Sequence, residues 1–305
     1  MEFAPMTYDV VVAGGGAGGL NAALVLARSR RRVAVVDAGQ PRNAPSAHLY
    51  GFLGHDGAAP GELLAAGRAE LAGYGVDLID DRVERIEPGF VVHRAGGDPL
   101  AARRVVVATG LRDELPDIPG VAQRWGRDLL HCPYCHGWEV RDRPLAVLGT
   151  SPGAVHHALL LRQWSDELVY LPHTRPTTDE EAVQLAARGI AVVEGEVERL
   201  VVEGDALAAV ALAGGRTVRC EAAFVFPRMV PHDGLLTALG CDAENGWVTV
   251  DRSGATSVPG VWAVGNVVDP RAQVVTAAGN GSAAAFAINT DLVVDDVAVA
   301  VKAYT

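Results

Sequence analysis

Short apolar runs alternate with Gly-rich turns and Ala/Leu-rich stretches, and that rhythm predicts an α/β protein. Tyr8–Ala13 (YDVVVA) is rich in β-branched residues with little polar alternation, the pattern of a buried parallel strand. Gly14-Gly15-Gly16-Ala17-Gly18-Gly19 follows at once, then a helical stretch over Leu20–Arg30 and a second strand, Arg32–Val36, ending at Asp37. The pattern recurs as a strand over Pro144–Leu148, a turn over Gly149–Ala154, a helix over Val155–Trp164 and a strand over Leu168–Leu171. Two such starts about 135 residues apart predict two Rossmann-like βαβ nucleotide-binding domains. Val105–Gly110 (VVVATG) closes the first, and Pro116 and Pro119 mark a linker. Gly260–Asn266 (GVWAVGN) predicts a strand running into a turn, and Gln273–Ile288 an Ala/Gly-rich helix returning to the first domain. The expected division is a discontinuous first domain over 1–115 and 246–305 and a second over 116–245, with little pattern after Asp291.

The bulk numbers narrow the classes without changing this picture. A chain of 305 residues is long enough for two domains with separate cores. A formal net charge of -11 weighs against nucleic acid and anionic membrane as partners. No apolar run reaches the roughly 18 residues a membrane span needs. Met1–Val12 has no basic segment or cleavage-like site, so a cytoplasmic protein is expected. The 4 cysteines are too few for a disulfide framework. Cys220 and Cys241 stand alone and are expected to be buried, inert thiols.

Two motifs carry chemistry. Gly14-x-Gly16-x-x-Gly19 sits in the strand–turn–helix context that dinucleotide binding requires, with Asp37 placed to meet a ribose hydroxyl. The first glycine permits the tight turn and the second admits a pyrophosphate. The third lets helix pack on strand, with the helix N-terminus facing the anion. The second motif is Cys132-Pro133-Tyr134-Cys135-His136. Two thiols at this spacing close and reopen a small disulfide, and one of them commonly has a lowered pKa. The string also matches a c-type haem attachment site, but that chemistry usually goes with export. A zinc site needs two more ligands, and His131 and His136 are too constrained by spacing to complete a tetrahedron, so no metal is expected. A redox pair is the better reading.

The ordered set Gly14-x-Gly16-x-x-Gly19, Ala108-Thr109-Gly110, Cys132-x-x-Cys135, Gly149-x-x-x-x-Ala154 and Gly260-x-x-x-x-Gly265 resembles the low-molecular-weight thioredoxin reductases over essentially the whole chain. The resemblance implies the thioredoxin reductase-like fold and a homodimer. It also implies FAD held by Gly14, Gly16, Ala17, Gly19, Asp37, Ala108, Thr109 and Gly110, with the redox disulfide beside the flavin.

Three departures separate this chain from the reductases. His136 stands where they carry an Asp after the second cysteine. The second Gly loop reads Gly149-Thr150-Ser151-Pro152-Gly153-Ala154, so Ser151 replaces the central glycine and Pro152 removes an N–H donor. Their basic cluster for the NADPH 2′-phosphate is reduced to Arg175, followed by Asp179, Glu180 and Glu181. The two loop departures weigh against NADPH binding. All three departures are similar to a branch of the family, the dithiol oxidases of gliotoxin and holomycin biosynthesis, as are Gly265-Asn266 and Arg271-Ala272-Gln273-Val274. That branch implies Cys132 facing substrate, Cys135 facing flavin, Asn266 at the ribityl chain, and Gln273 and Val274 near the ring. The expected activity closes a disulfide in a small-molecule dithiol, with His136 as acid/base and dioxygen as acceptor, giving hydrogen peroxide. A reductase fed by NAD(P)H and a redox sensor are the alternatives.

Less is legible around these motifs. The loop Pro45–Gly57 is expected in the flavin domain, either bordering flavin or substrate or simply packed, with His48 and His55 its notable members. Sequence adjacency does not place His131 at the thiols, and Trp138 is expected in the core.

Overall fold

Along the first strand, Thr7–Ala13, Val10 and Val12 enter one apolar core while Val11 and Ala13 enter another. Successive strand side chains point to opposite faces, so a strand covered on both sides must be apolar throughout. This is the physical reason for the unbroken run in the sequence. The computed structural model describes residues 7–305, so Met1–Met6, the beginning of the Met1–Val12 segment, lie outside the described residues.

The chain divides into two compact units. The first comprises the chain up to Ala44, Gly61–Arg112 and Val230–Thr305. Its sheet runs Asp77–Asp80, Val33–Asp37, Thr7–Ala13, Leu100–Val107, Val91–Arg94, Val83–Glu87, and Val261–Ala263 also pairs with Leu100–Val107. Thr7–Ala13 is parallel to both neighbours, in register Val12 with Val35 and Val12 with Val106. On one face lie the helices Ala17–Arg28 and Val274–Tyr304, whose Leu20, Ala23, Leu26, Ala284, Ala285, Ile288 and Leu292 pack on Val10, Val12, Val35 and Val106. Arg30, in the left-handed region at φ 63°, follows the end of the first helix.

The second helix continues well past the expected Ile288, through Tyr304. Its later turns carry acids held by Arg103 and Arg104 of the strand Leu100–Val107 and by Arg31, which follows the first helix. Asp291 and Asp295 pair with Arg104, and Asp296 pairs with Arg31 and Arg103, each at 2.7 Å.

The second unit comprises Pro45–Pro60 and Asp113–Met229. Its parallel sheet runs Ala191–Val192, Leu168–Leu171, Leu145–Leu148, Ala222–Val225, Leu129–Leu130. A three-stranded antiparallel sheet, Val197–Glu203, Ala206–Leu212 and Thr217–Arg219, packs in the same unit through Val197, Leu200, Leu207, Val210 and Leu212. The helix expected over Val155–Trp164 occupies Ala154–Leu161.

Two boundaries differ from the expected 1–115/246–305 division. The chain rejoins the first unit at Val230, because Leu235, Leu236, Cys241 and Val248 enter that unit's apolar core. Pro45–Pro60 groups with the second unit, where Ser46 and Tyr50 meet His136.

Candidate functional site

The residues expected to hold flavin all lie in the first unit. Gly14 has φ 110°, and a Cβ there would sit 2.3 Å from Ala108 O. A Cβ on Gly19 would sit 2.0 Å from Gly14 O, so the helix can start this close to the strand only with glycine. A Cβ on Gly16 would meet nothing within 4 Å, so the loop's open side lies there. The helix begins at Ala17 with no side-chain cap and no acid in its first turn, leaving its N-terminal dipole to an anion. Asp37 accepts from Gly15 N at 3.0 Å and lies 3.6 Å from Arg68.

The other flavin candidates are held by their own backbone bonds. Ala108 N donates to Ala13 O at 2.7 Å, Thr109 Oγ1 donates to His232 O at 2.7 Å, and His232 N donates to Gly110 O at 2.9 Å. Gly265 opens a 3-10 turn, Gly265–Val267. Asn266 Nδ2 donates to Asp269 O and Ala272 O, both at 2.9 Å, which leaves its carbonyl oxygen as acceptor. Gln273 caps the final helix and Val274 is its first residue. An open Gly loop at a bare helix N-terminus, with an acid at the end of the next strand, fits the pyrophosphate and ribose of FAD.

The redox pair lies in the second unit. Cys132 caps the short helix Pro133–His136, with Pro133 at its first position, where a missing N–H costs nothing. Cys135 N donates to Cys132 Sγ at 3.2 Å, and the two residues form a disulfide across Cα atoms 5.2 Å apart. The helical turn therefore brings the sulfurs together, with Cys135 N directed at Cys132 Sγ.

Pro45–Pro60 brings side chains to His136. Ser46 Oγ lies 3.5 Å from His136 Nε2, and the Tyr50 ring meets the imidazole edge-on at 5.8 Å. Burial holds the His136 pKa below the ordinary histidine value, and the neighbouring charge of His48 adds to the effect. His136 is therefore neutral near pH 7 and ready to accept a proton. Burial likewise raises the Tyr50 phenol, with Glu139 and Asp56 adding to it.

Several expectations change here. His48 lies beside this group, whereas His55 packs on Phe52 at 5.2 Å. Trp138, expected in the core, is 65% exposed with Arg141 stacked over its ring at 3.9 Å; the cation covers one face and makes the core unnecessary. Tyr134, between the cysteines, is 66% exposed and edge-on to Trp164 at 5.7 Å. His131 packs on Phe226 at 5.1 Å and on the buried His157 at 5.9 Å. Ser46 and Tyr50 are functional candidates the sequence did not single out, and being in a Gly/His-rich loop was their one signal. Cys220 and Cys241 are both buried, and burial pushes the Cys220 thiol up to about 12.

The second Gly loop is degenerate in structure as well as sequence. Ser151 Oγ is buried without a hydrogen-bond partner among the described residues. Arg175 pairs with Glu181 at 2.7 and 3.3 Å. Glu181 also closes a capping box with Thr178 at the start of the helix Asp179–Ala187. A guanidinium held by a carboxylate that is itself fixed to a helix start is poorly free to clamp a phosphate. Among the described residues no cluster of potential metal ligands occurs, and no helix is long and apolar enough to cross a membrane.

Comparison with known proteins agrees with this construction. The profile of the family "Pyridine nucleotide-disulphide oxidoreductase" matches residues 8–281. Thioredoxin reductase sirT of Leptosphaeria maculans is 30% identical over 326 aligned positions, covering 99% of each chain. The crystal structure of HlmI superposes with a TM-score of 0.96 at 64% identity, covering 97% of this chain and 96% of that one. An oxidoreductase from Agrobacterium tumefaciens superposes at 0.89 with 34% identity, covering 94% and 99%. The chain thus belongs to the pyridine nucleotide-disulphide oxidoreductase family, as a thioredoxin reductase-like, FAD-binding oxidoreductase.

Proposed function

We propose that this protein is a dithiol oxidase that closes an intramolecular disulfide in a small-molecule dithiol of the gliotoxin or holomycin type. The observation that carries the proposal is the Arg175–Glu181 pair, which engages the arginine where the reductases hold the NADPH 2′-phosphate. Ser151 and Pro152 in the second Gly loop, and His136 in place of an acid, support it. So does the similarity to HlmI across nearly the whole of both chains.

In the proposed reaction one substrate thiolate attacks Cys132 Sγ, forming a mixed disulfide and releasing Cys135 as thiolate. The second substrate thiolate attacks the substrate sulfur of that mixed disulfide, closing the product ring and expelling Cys132. His136 accepts a substrate thiol proton and returns it to solvent. Substrate loses two electrons and the cysteine pair gains them. The Gly14–Gly19 loop, Asp37, Ala108–Gly110, Gly265, Asn266, Gln273 and Val274 would hold FAD, which would supply the two-electron oxidation that re-forms the Cys132–Cys135 disulfide, with dioxygen as final acceptor giving hydrogen peroxide. The protein is cytoplasmic and homodimeric in this reading. An exposed apolar stripe on the final helix, Phe286, Val293, Val297, Val301 and Tyr304, supports the dimer.

Anaerobic flavin spectroscopy tests the proposal. Bleaching by dithiothreitol but not by NADPH or NADH, with peroxide on admitting air, is expected. Rapid bleaching by NADPH overturns it in favour of an NAD(P)H-dependent thioredoxin reductase.

A further inference from the structure

Ser46 Oγ makes two contacts of unequal length. It donates to His48 O at 2.8 Å and lies 3.5 Å from His136 Nε2. A hydroxyl has one proton and two lone pairs. The backbone carbonyl can only accept, and it sits at the ordinary O–H···O distance, so it takes that proton. Toward His136 the hydroxyl is left as an acceptor.

His136 in its neutral form carries one N–H. Set on Nε2, that proton meets a lone pair of Ser46; set on Nδ1, it leaves two lone pairs facing each other across the contact. We propose that Ser46 is a positioning residue that fixes neutral His136 as the Nε2–H tautomer and so presents Nδ1 as the basic nitrogen. The inference rests on His136 being the proton acceptor in the oxidase reading. In the step, the substrate S–H bond breaks, an N–H bond forms at Nδ1, and the electron pair stays on sulfur as the attacking thiolate. The proton then leaves to solvent.

The loop that carries Ser46 is itself fixed. His48 Nδ1 lies 3.0 Å from Gly57 O, which can only accept, so His48 carries its proton on Nδ1. Gly57 N donates to Leu49 O at 2.8 Å, which closes the loop behind it. The titratable groups around His136 are His48 and Tyr50 from this loop; Glu139 beyond the helix and Asp56 at the loop's far end act on Tyr50. An imidazolium at His136 therefore forms near His48, and burial, with the His48 charge adding to it, favours its return to the neutral base.

The test is nitrogen NMR on protein labelled with 15N-histidine, with His136→Gln used to assign the His136 ring signals. Above neutral pH the unaltered protein is expected to show His136 in the Nε2–H form. Ser46→Ala should mix the tautomers, and Ser46→Thr should restore the single form. With dithiothreitol as substrate, Ser46→Ala should lower kcat by at most about fivefold, the ceiling that one ordinary hydrogen bond would set for this 3.5 Å contact. Its acidic limb in kcat/KM should move to lower pH, because the imidazolium loses an acceptor, and Ser46→Thr should reverse both changes. An Nδ1–H tautomer in the unaltered protein, or an unmoved acidic limb in Ser46→Ala, overturns the proposal. The NMR result stands apart from turnover, so it is separable from failure of the oxidase reading, which shows as flavin that dithiothreitol does not bleach.

Discussion

His157 lies 4% exposed beneath His131 and Phe226, and burial lowers its pKa from the ordinary 6.5 to about 3. It is neutral in the fold, whereas the unfolded chain takes up a proton near pH 6.5. Its contribution is full above that pH and declines as pH falls toward about 3. Over the first one and a half units below 6.5 the loss approaches about 2 kcal/mol, at 1.36 kcal/mol per unit. Urea unfolding at pH 7 and pH 5 should show this decline in the native protein and a smaller one in His157→Leu; equal declines would contradict the assignment. At the disulfide, Cys135→Ser should abolish flavin reduction by dithiols while the bound flavin spectrum persists, and continued reduction would contradict the proposed scheme. At this scale the sequence spoke plainly where chemistry is local. Cys132, Cys135 and His136 lie within five positions, so their grouping could be read directly. Ser46 and Tyr50 reach His136 across roughly 90 positions, and no local pattern encodes such a contact.

Elements built from short-range signals were similarly legible. The Gly14–Gly19 loop, its strand and its helix follow from β-branched runs, turn glycines and a 3.6-residue period, each of which acts within one turn. The final helix was legible only in part. Its later turns carry Asp291, Asp295 and Asp296 beside valines, a pattern that gains meaning only against Arg103 and Arg104 of the sheet and Arg31 beyond the first helix. Trp138 escaped because Arg141, three residues on in the turn that follows the short helix, covers its ring. The close approach at Gly19 yields an element-level prediction. Gly19→Val should force the helix start away from Gly14 O and weaken FAD binding at least about tenfold, read as the flavin-to-protein absorbance ratio after gel filtration. Full flavin occupancy in that variant would mean the loop is not the pyrophosphate cradle.

For the whole molecule, the exposed stripe on the final helix sets the expectation about assembly. Phe286, Val293, Val297, Val301 and Tyr304 recur at intervals of seven, four, four and three, one face of a helix, while Ile288 and Leu292 are buried. Phe286→Glu combined with Val297→Glu should halve the mass measured by light scattering and leave flavin occupancy unchanged; an unaltered mass would place any dimer contact elsewhere. The two-unit architecture itself was readable from the repeated strand–turn–helix pattern, but its seams were not. Pro45–Pro60 precedes the second unit's main segment by some fifty positions and still belongs with it. Chain order and the neighbourhood of His136 are therefore different partitions of this protein. A chimera joined to a relative near residue 113, where the larger segment of the second unit begins, would take its disulfide from one parent and the surroundings of His136 from the other. Gene fusions and homologous recombination at that seam would part His136 from the Ser46 and Tyr50 that meet it, so under the proposed function Pro45–Pro60 must travel with the cysteines whenever the activity is transplanted.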